Sequence, residues 1–209
     1  MNSINLPNKL TLLRVGLVPM FLLFLSINNI YTHALALITF VIAAITDYYD
    51  GKIARERSLE TDFGRLMDPL ADKILICAAF IYFVGSYPRI PAWIVTIIVA
   101  REFAVSGIRM LAASKGKIVA SDSAGKLKTI SQLTAIITIL VVIVYIKVSE
   151  KIPMLSYWDL IKDWIRLGIY ILIGFALAMT VVSGYNYLRA NRRLFWESLK
   201  SSGPTAQTD

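Results

Sequence analysis

The sequence predicts an all-α integral membrane protein, six transmembrane helices around a polar cavity that faces the cytoplasm. Three observations lead there. Of 209 residues, 56% are hydrophobic and only 17% charged, whereas about a quarter of a soluble domain is charged. Six apolar stretches recur along the chain, each near the ~20 residues that a helix needs to cross hydrocarbon. Four acids, Asp47, Asp50, Asp68 and Asp72, gather at the ends of two of these stretches, although an intramembrane Asp costs roughly 2.5–3.5 kcal/mol on insertion scales.

The segments fall at 10–28, 34–56, 67–87, 91–113, 128–147 and 166–188. Asn28-Asn29 separates the first two, the Gly85 to Pro91 stretch with its prolines separates the third from the fourth, and Ser149 to Asp163 separates the last two. The second has only thirteen uncharged residues, Ala34 to Thr46, before Asp47, and the third becomes apolar only after Lys73. Neither apolar part spans a bilayer alone, so the polar portions must complete the crossing. Carboxylates facing lipid are excluded, which leaves a water-accessible cavity as their surroundings. The fourth segment carries Arg101 and Glu102 at its middle, and these are expected to pair with neighbouring helices and hold the bundle together rather than to catalyse. No soluble domain is visible: residues 1–198 read as one membrane domain and 199–209 as a disordered polar tail ending Ser-Ser-Gly-Pro-Thr-Ala-Gln-Thr-Asp.

The formal charge of +8 does not point to nucleic acid, because the basic residues sit at segment ends and not on one soluble face. Anionic headgroups and phosphorylated substrates fit better. Lys9, Arg14, Lys52, Arg55, Arg57, Arg65, Lys115, Lys117, Lys126, Lys128, Arg189, Arg192, Arg193 and Lys200 share one end; Arg89, Lys147, Lys151, Lys162 and Arg166, offset by Glu150, Asp159 and Asp163, take the other. The positive-inside rule then puts both termini in the cytoplasm, as in a multi-pass protein of the cell membrane. The single Cys77 lies in an apolar run and is expected to be a buried thiol, and His33 is expected in an extracytoplasmic loop without a role. Trp93, Trp158, Trp164 and Trp196 lie near segment ends, as interfacial aromatics do. No cleavage site follows the first apolar run, so a signal peptide is not expected.

Asp47 and Asp50 are spaced i, i+3, and Asp68 and Asp72 i, i+4, so each pair shares a helix face. A short connection from Arg55 to Gly64 makes the two helices antiparallel neighbours with the pairs opposed. Such carboxylates cannot all ionise uncompensated. An all-oxygen donor set with no thiolate or imidazole suits Mg²⁺ or Mn²⁺ and not zinc. Gly51, Ala54 and Gly64 permit close backbone approach, and Arg55 offers a donor fork to a phosphate.

The string Asp47-x2-Asp50-Gly51-x2-Ala54-Arg55-x8-Gly64-x3-Asp68-x3-Asp72 resembles, at every defined position, the signature of the CDP-alcohol phosphotransferase family. The resemblance implies a six-helix membrane fold, a homodimer, and a reaction in which an alcohol displaces CMP from a CDP-linked lipid. It implies that Asp47, Asp50, Asp68 and Asp72 hold two divalent ions, that Asp72 is also the general base, and that Gly51, Ala54, Arg55 and Gly64 hold the CDP moiety.

Arg101-Glu102-Phe103-Ala104-Val105-Ser106-Gly107-Ile108-Arg109, Gly125-Lys126-Leu127-Lys128-Thr129 and Leu6-Pro7-Asn8-x2-Thr11-x2-Arg14 are similar to the branch that makes phosphatidylglycerol phosphate from CDP-diacylglycerol and sn-glycerol 3-phosphate. Asn8 and Thr11 join the CDP-lipid contacts by that resemblance. A phosphorylated acceptor needs cations apart from the metals: Arg109, Lys126 and Arg189 stand at the right ends of their helices, with Ser123 as a hydroxyl donor by analogy with relatives that use phosphorylated alcohols. The alternative for Arg109 and Arg189 is an anchor snorkelling to the interface. Within the family the competing acceptors are inositol phosphate and serine. Outside it, a cation transporter would also gather acids in a membrane, but it would spread them through the depth or repeat them in two halves.

Overall fold

A computed structural model describes the backbone of residues 6–57, 62–114, 123–152, 157–190 and 192, and side chains at 13–46, 73–110, 112, 125–152, 157–158, 160–190 and 192. The described residues form six helices and no strand: α1 Leu6–Ser26, α2 Ile30–Arg57, α3 Asp62–Gly85, α4 Ala92–Ser114, α5 Ser123–Lys151 and α6 Trp158–Ala190. The six segments read from the sequence each overlap one of these helices, with 10–28, 67–87 and 91–113 running one or two residues past an end. The tail 199–209 lies outside the described residues.

Local chemistry sets the helix ends. Asn29 caps α2, its Oδ1 accepting from the Tyr31 amide at 3.2 Å, which satisfies one of the donors a helix start leaves open. The Thr32 hydroxyl donates to the Ile27 and Asn29 carbonyls. His33 is therefore not in a loop: it occupies the first turn of α2, buried, with its Nδ1 2.7 Å from the Asn29 carbonyl. A two-residue separator read from polarity alone misses that a capped helix begins directly after Asn29. After Gly85 the Arg89 amide bonds the Ser86 carbonyl and the Ile90 amide reaches back to Phe83. Arg89 adopts φ 63°, and Pro91 leads into α4 without offering the amide that a helix start cannot use.

Four tertiary contacts gather the ends of the helices that lie away from the aspartates. The Tyr82 hydroxyl of α3 donates to the Leu25 carbonyl of α1 at 2.6 Å. The Tyr170 hydroxyl of α6 donates to the Pro88 and Arg89 carbonyls. Lys151 of α5 lies over the ring of Tyr31 in α2, and Trp158 meets Tyr87 and Tyr145 edgewise or tilted. The start of α1, the end of α2, the start of α3, the end of α4, the start of α5 and the end of α6 therefore share the other end of the bundle. Helix pairs α1·α2, α1·α3, α2·α5, α3·α4, α3·α5, α4·α6 and α5·α6 pack together.

Apolar side chains lie both inside the bundle and on its outer faces. Phe21, Phe40, Phe80, Phe83, Ile98, Ile136, Ile139 and Ile173 fill the centre, but Arg14, Glu102, Lys128, Gln132, Thr180 and Ser183 are buried with them. Ile38, Ile42 and Ile45 line an exposed face of α2, and Ile171 and Phe175 one of α6. Apolar faces of that extent mark contact with lipid or protein. The described stretches Gly125–Lys151 and Leu160–Ala190 are long and apolar enough to cross a membrane; Leu13–Ser26, Ile30–Thr46 and Lys73–Gly85 are shorter apolar stretches. Cys77 is a buried free thiol, as expected.

Candidate active site

Asp47, Asp50, Gly51, Ala54 and Arg55 lie on the last turns of α2, Gly64, Asp68 and Asp72 on the first turns of α3, and Asn8 and Thr11 on the first turns of α1. Ser123 opens α5. The side chains of all these positions lie outside the described residues, as does any metal cluster they form; among described residues there is no group of three or more His, Cys, Asp and Glu.

Helix register relates their backbones. The rings of Phe21 and Phe40 pack at 5.6 Å, so in antiparallel α1 and α2 the seventh residue before Phe21, Arg14, runs level with the seventh after Phe40, Asp47. Leu25 is joined to Tyr82, so in parallel α1 and α3 the eleventh residue before each, Arg14 and Ala71, are level as well. By this count the backbones of Asp47 and Asp72 lie at one end of the bundle within about a turn of each other in depth, as do those of Asp50 and Asp68. Arg14 stands at the level of Asp47 with only 5% of its surface exposed.

Three helix ends carry the expected acceptor cations. Arg109 on α4, Lys126 on α5 and Arg189 on α6 are exposed, at the same end of the bundle as the aspartates. The Arg109 guanidinium lies over the Tyr187 ring of α6, 5.7 Å from its centroid. This contact ties it to a neighbouring helix.

Beneath them lies a buried polar cluster. Glu102, 2% exposed, accepts from Lys128 and from Gln132 Nε2 of α5, the latter at 3.3 Å, and pairs with Arg101 of its own helix at 3.3 Å. Gln132 also donates to Thr180 of α6 at 3.1 Å, and Arg101 Nη2 to Ser183 of α6 at 2.7 Å. Arg101 and Glu102 thus pair across helices as expected. Their partners were not singled out. Lys128 looked like one more basic residue at a segment end, yet it is 6% exposed. The available signal was spacing: Lys128 and Gln132 at i, i+4 and Thr180 and Ser183 at i, i+3 put polar groups on one face of otherwise apolar helices.

A model of the CDP-alcohol phosphatidyltransferase family matches residues 4–182. The chain is 36% identical over 211 residues to the CDP-diacylglycerol–glycerol-3-phosphate 3-phosphatidyltransferase of Bacillus subtilis, covering 95% of this chain and 98% of that enzyme. It is 35% identical over 193 residues to the enzyme of the same name from Rickettsia bellii, covering 91% and 97%. With the Escherichia coli enzyme of that name it shares 37% over 138 residues, 63% of this chain and 74% of that one. Matched along most of its length and carrying the aspartate string on the ends of α2 and α3, this chain belongs to the CDP-alcohol phosphatidyltransferase family.

Proposed function

We propose that the protein transfers the phosphatidyl group of CDP-diacylglycerol to sn-glycerol 3-phosphate, giving phosphatidylglycerol phosphate and CMP. The observation that carries this reading is the near full-length similarity to relatives of that name, which spans both the aspartate string and the 101–129 stretch. A hydroxyl of glycerol 3-phosphate attacks the phosphorus that bears diacylglycerol, the bond from that phosphorus to the CMP oxygen breaks, and the hydroxyl proton passes to Asp72. An Asp is a weak base by its reference pKa of about 3.9, so the proton moves as the oxygen attacks.

Asp47, Asp50, Asp68 and Asp72 would hold two divalent ions, Mg²⁺ or Mn²⁺, which would supply Lewis-acid stabilisation of the charge that develops on the departing CMP. Helical phase supports this donor set. The buried positions His33, Ala36, Phe40 and Ala43 of α2 step by three or four residues, and the next steps on that face are 47 and 50. On α3, counting back from buried Leu75 and Ala79 reaches 72 and 68. Asn8, Thr11, Gly51, Ala54, Arg55 and Gly64 would bind the CDP-lipid, the small residues letting backbone approach the nucleotide and Arg55 engaging phosphate. Arg109, Lys126 and Arg189, with Ser123, would take the acceptor phosphate, apart from the metals.

Six membrane-spanning helices over residues 1–198, both termini and a polar cavity on the cytoplasmic side, and a homodimer in the cell membrane complete the proposal. Buried polar groups beneath apolar outer faces, and the basic residues gathered at the aspartate end, support it. The test is an acceptor panel with purified protein, CDP-diacylglycerol and Mg²⁺, scoring CMP release. Release with glycerol 3-phosphate and not with inositol phosphate, inositol or serine is expected. Preference for any of the others would replace the acceptor.

A further inference from the structure

We infer that Arg101, Glu102, Lys128, Gln132, Thr180 and Ser183 form a positioning triangle that sets the acceptor-phosphate arms of α4, α5 and α6; the inference rests on the acceptor site proposed above. Each side of the triangle is a polar contact between two different helices. Lys128 and Gln132 to Glu102 join α5 to α4, Gln132 to Thr180 joins α5 to α6, and Arg101 to Ser183 joins α4 to α6. No helix can rotate or slide by a residue without breaking two sides.

The arms lie on the same three helices, toward the aspartate end from this closed ring. Arg109 is seven residues beyond Glu102 on α4, two turns along the same face. Lys126 precedes Lys128 by two residues at the start of α5, and Arg189 follows Ser183 by six near the end of α6. A second rung between α4 and α6, Arg109 over Tyr187, repeats the Arg101–Ser183 link one level higher. Gly184 makes room for Arg101 there: a Cβ on it would meet Arg101 Cγ at 3.1 Å.

Stability is a poor reason to keep such a cluster. A buried ion pair exchanged for apolar side chains of similar volume is often neutral or stabilising, whereas removing one partner is costly. Position is the better reason, since a misplacement of ~1 Å at a reacting centre can cost about 10²-fold in rate. The aspartates and CDP contacts are carried by α1, α2 and α3, outside the triangle. Its loss therefore shows in the acceptor and not in the CDP-lipid.

The test compares KM for glycerol 3-phosphate and for CDP-diacylglycerol, kcat and thermal unfolding for the full chain in lipid nanodiscs. Arg101→Met with Glu102→Leu and Lys128→Leu removes the three paired charges together and strands none; Ser183→Ala, a milder change, removes only the anchor of Arg101 and serves if the triple variant does not fold. We expect near wild-type unfolding, a CDP-diacylglycerol KM within about twofold and a glycerol 3-phosphate KM raised about tenfold for the triple variant and severalfold for Ser183→Ala. An unchanged acceptor KM in a folded variant, or both KM values rising together, overturns the inference. Arg109→Ala and Lys126→Ala run alongside: if they raise the acceptor KM while the triangle variants do not, the acceptor site stands and the triangle is only structural. If they too leave it unchanged, the acceptor site itself falls, and the triangle's role with it.

Discussion

The guanidinium of Arg109 on α4 lies over the ring of Tyr187 on α6, 5.7 Å from its centroid, with Tyr187 itself buried. A cation held this way has a fixed direction, and at an exposed site the contact is worth about 0.5–1 kcal/mol. Tyr187→Leu is expected to raise the glycerol 3-phosphate KM about two- to fivefold, the factor equivalent to that energy, while Tyr187→Phe, which keeps the ring, stays near wild type. Arg109→Ala should raise it further and leave the CDP-diacylglycerol KM much less changed. Steady-state kinetics with each substrate varied in turn checks the split. A leucine variant indistinguishable from the phenylalanine one would remove the stacked geometry from substrate binding.

Asp72→Asn is expected to abolish turnover and leave measurable CDP-diacylglycerol binding. It removes one ligand of the proposed metals and the proposed base together, but leaves the helix surfaces that bind the nucleotide. CMP release and equilibrium binding of the CDP-lipid report the two halves separately. Turnover near wild type would withdraw both roles from Asp72.

The number and order of the helices were legible because each carries an apolar run that hydropathy detects directly. Their ends were less so. α6 starts at Trp158, eight residues before the 166 expected, because Lys162, Asp163 and Trp164 form exposed first turns that read as loop. α5 likewise extends from Ser123 to Lys151, beyond 128–147 at both ends, continued by Lys126 on one side and the Lys147–Glu150 ion pair on the other. The aspartate string was legible because its spacing is local to two helix ends. The Glu102–Lys128 pair was half legible: a mid-segment Glu demands a partner, but nothing along the chain says which of the many lysines turns inward. Arg14 shows the same limit, since a census of charge at segment ends does not distinguish a buried guanidinium from a solvated one.

Chelating divalent ions should stop the reaction without unfolding the bundle. The proposed ligands are all carboxylates on the ends of α2 and α3, while the described core that holds the six helices together contains no metal-ligating cluster. EDTA is expected to remove CMP release, and Mg²⁺ or Mn²⁺ to restore it, with circular dichroism unchanged throughout. Activity that survives exhaustive chelation would remove metals from the mechanism.

Gly184 offers a sharper check on the packing of Arg101. A Cβ there would stand 3.1 Å from Arg101 Cγ and 3.4 Å from its Nε, tighter than an ordinary van der Waals contact. A free arginine could swing aside. This one is pinned beyond the contact point by Ser183 at 2.7 Å and Glu102 at 3.3 Å, so the stem must give while the head stays bound. The overpacking penalty is therefore expected to outweigh the roughly 0.5–1 kcal/mol that alanine gains over glycine in a helix interior, leaving Gly184→Ala mildly destabilising, and Gly184→Leu is expected to cost the 1–3 kcal/mol typical of overpacking. The penalty for Gly184→Ala should shrink in an Arg101→Met background, where an unpinned side chain can yield, so that a double-mutant cycle on thermal unfolding gives a coupling of at least about 0.5 kcal/mol. Additive effects would mean that the glycine accommodates something other than this arginine.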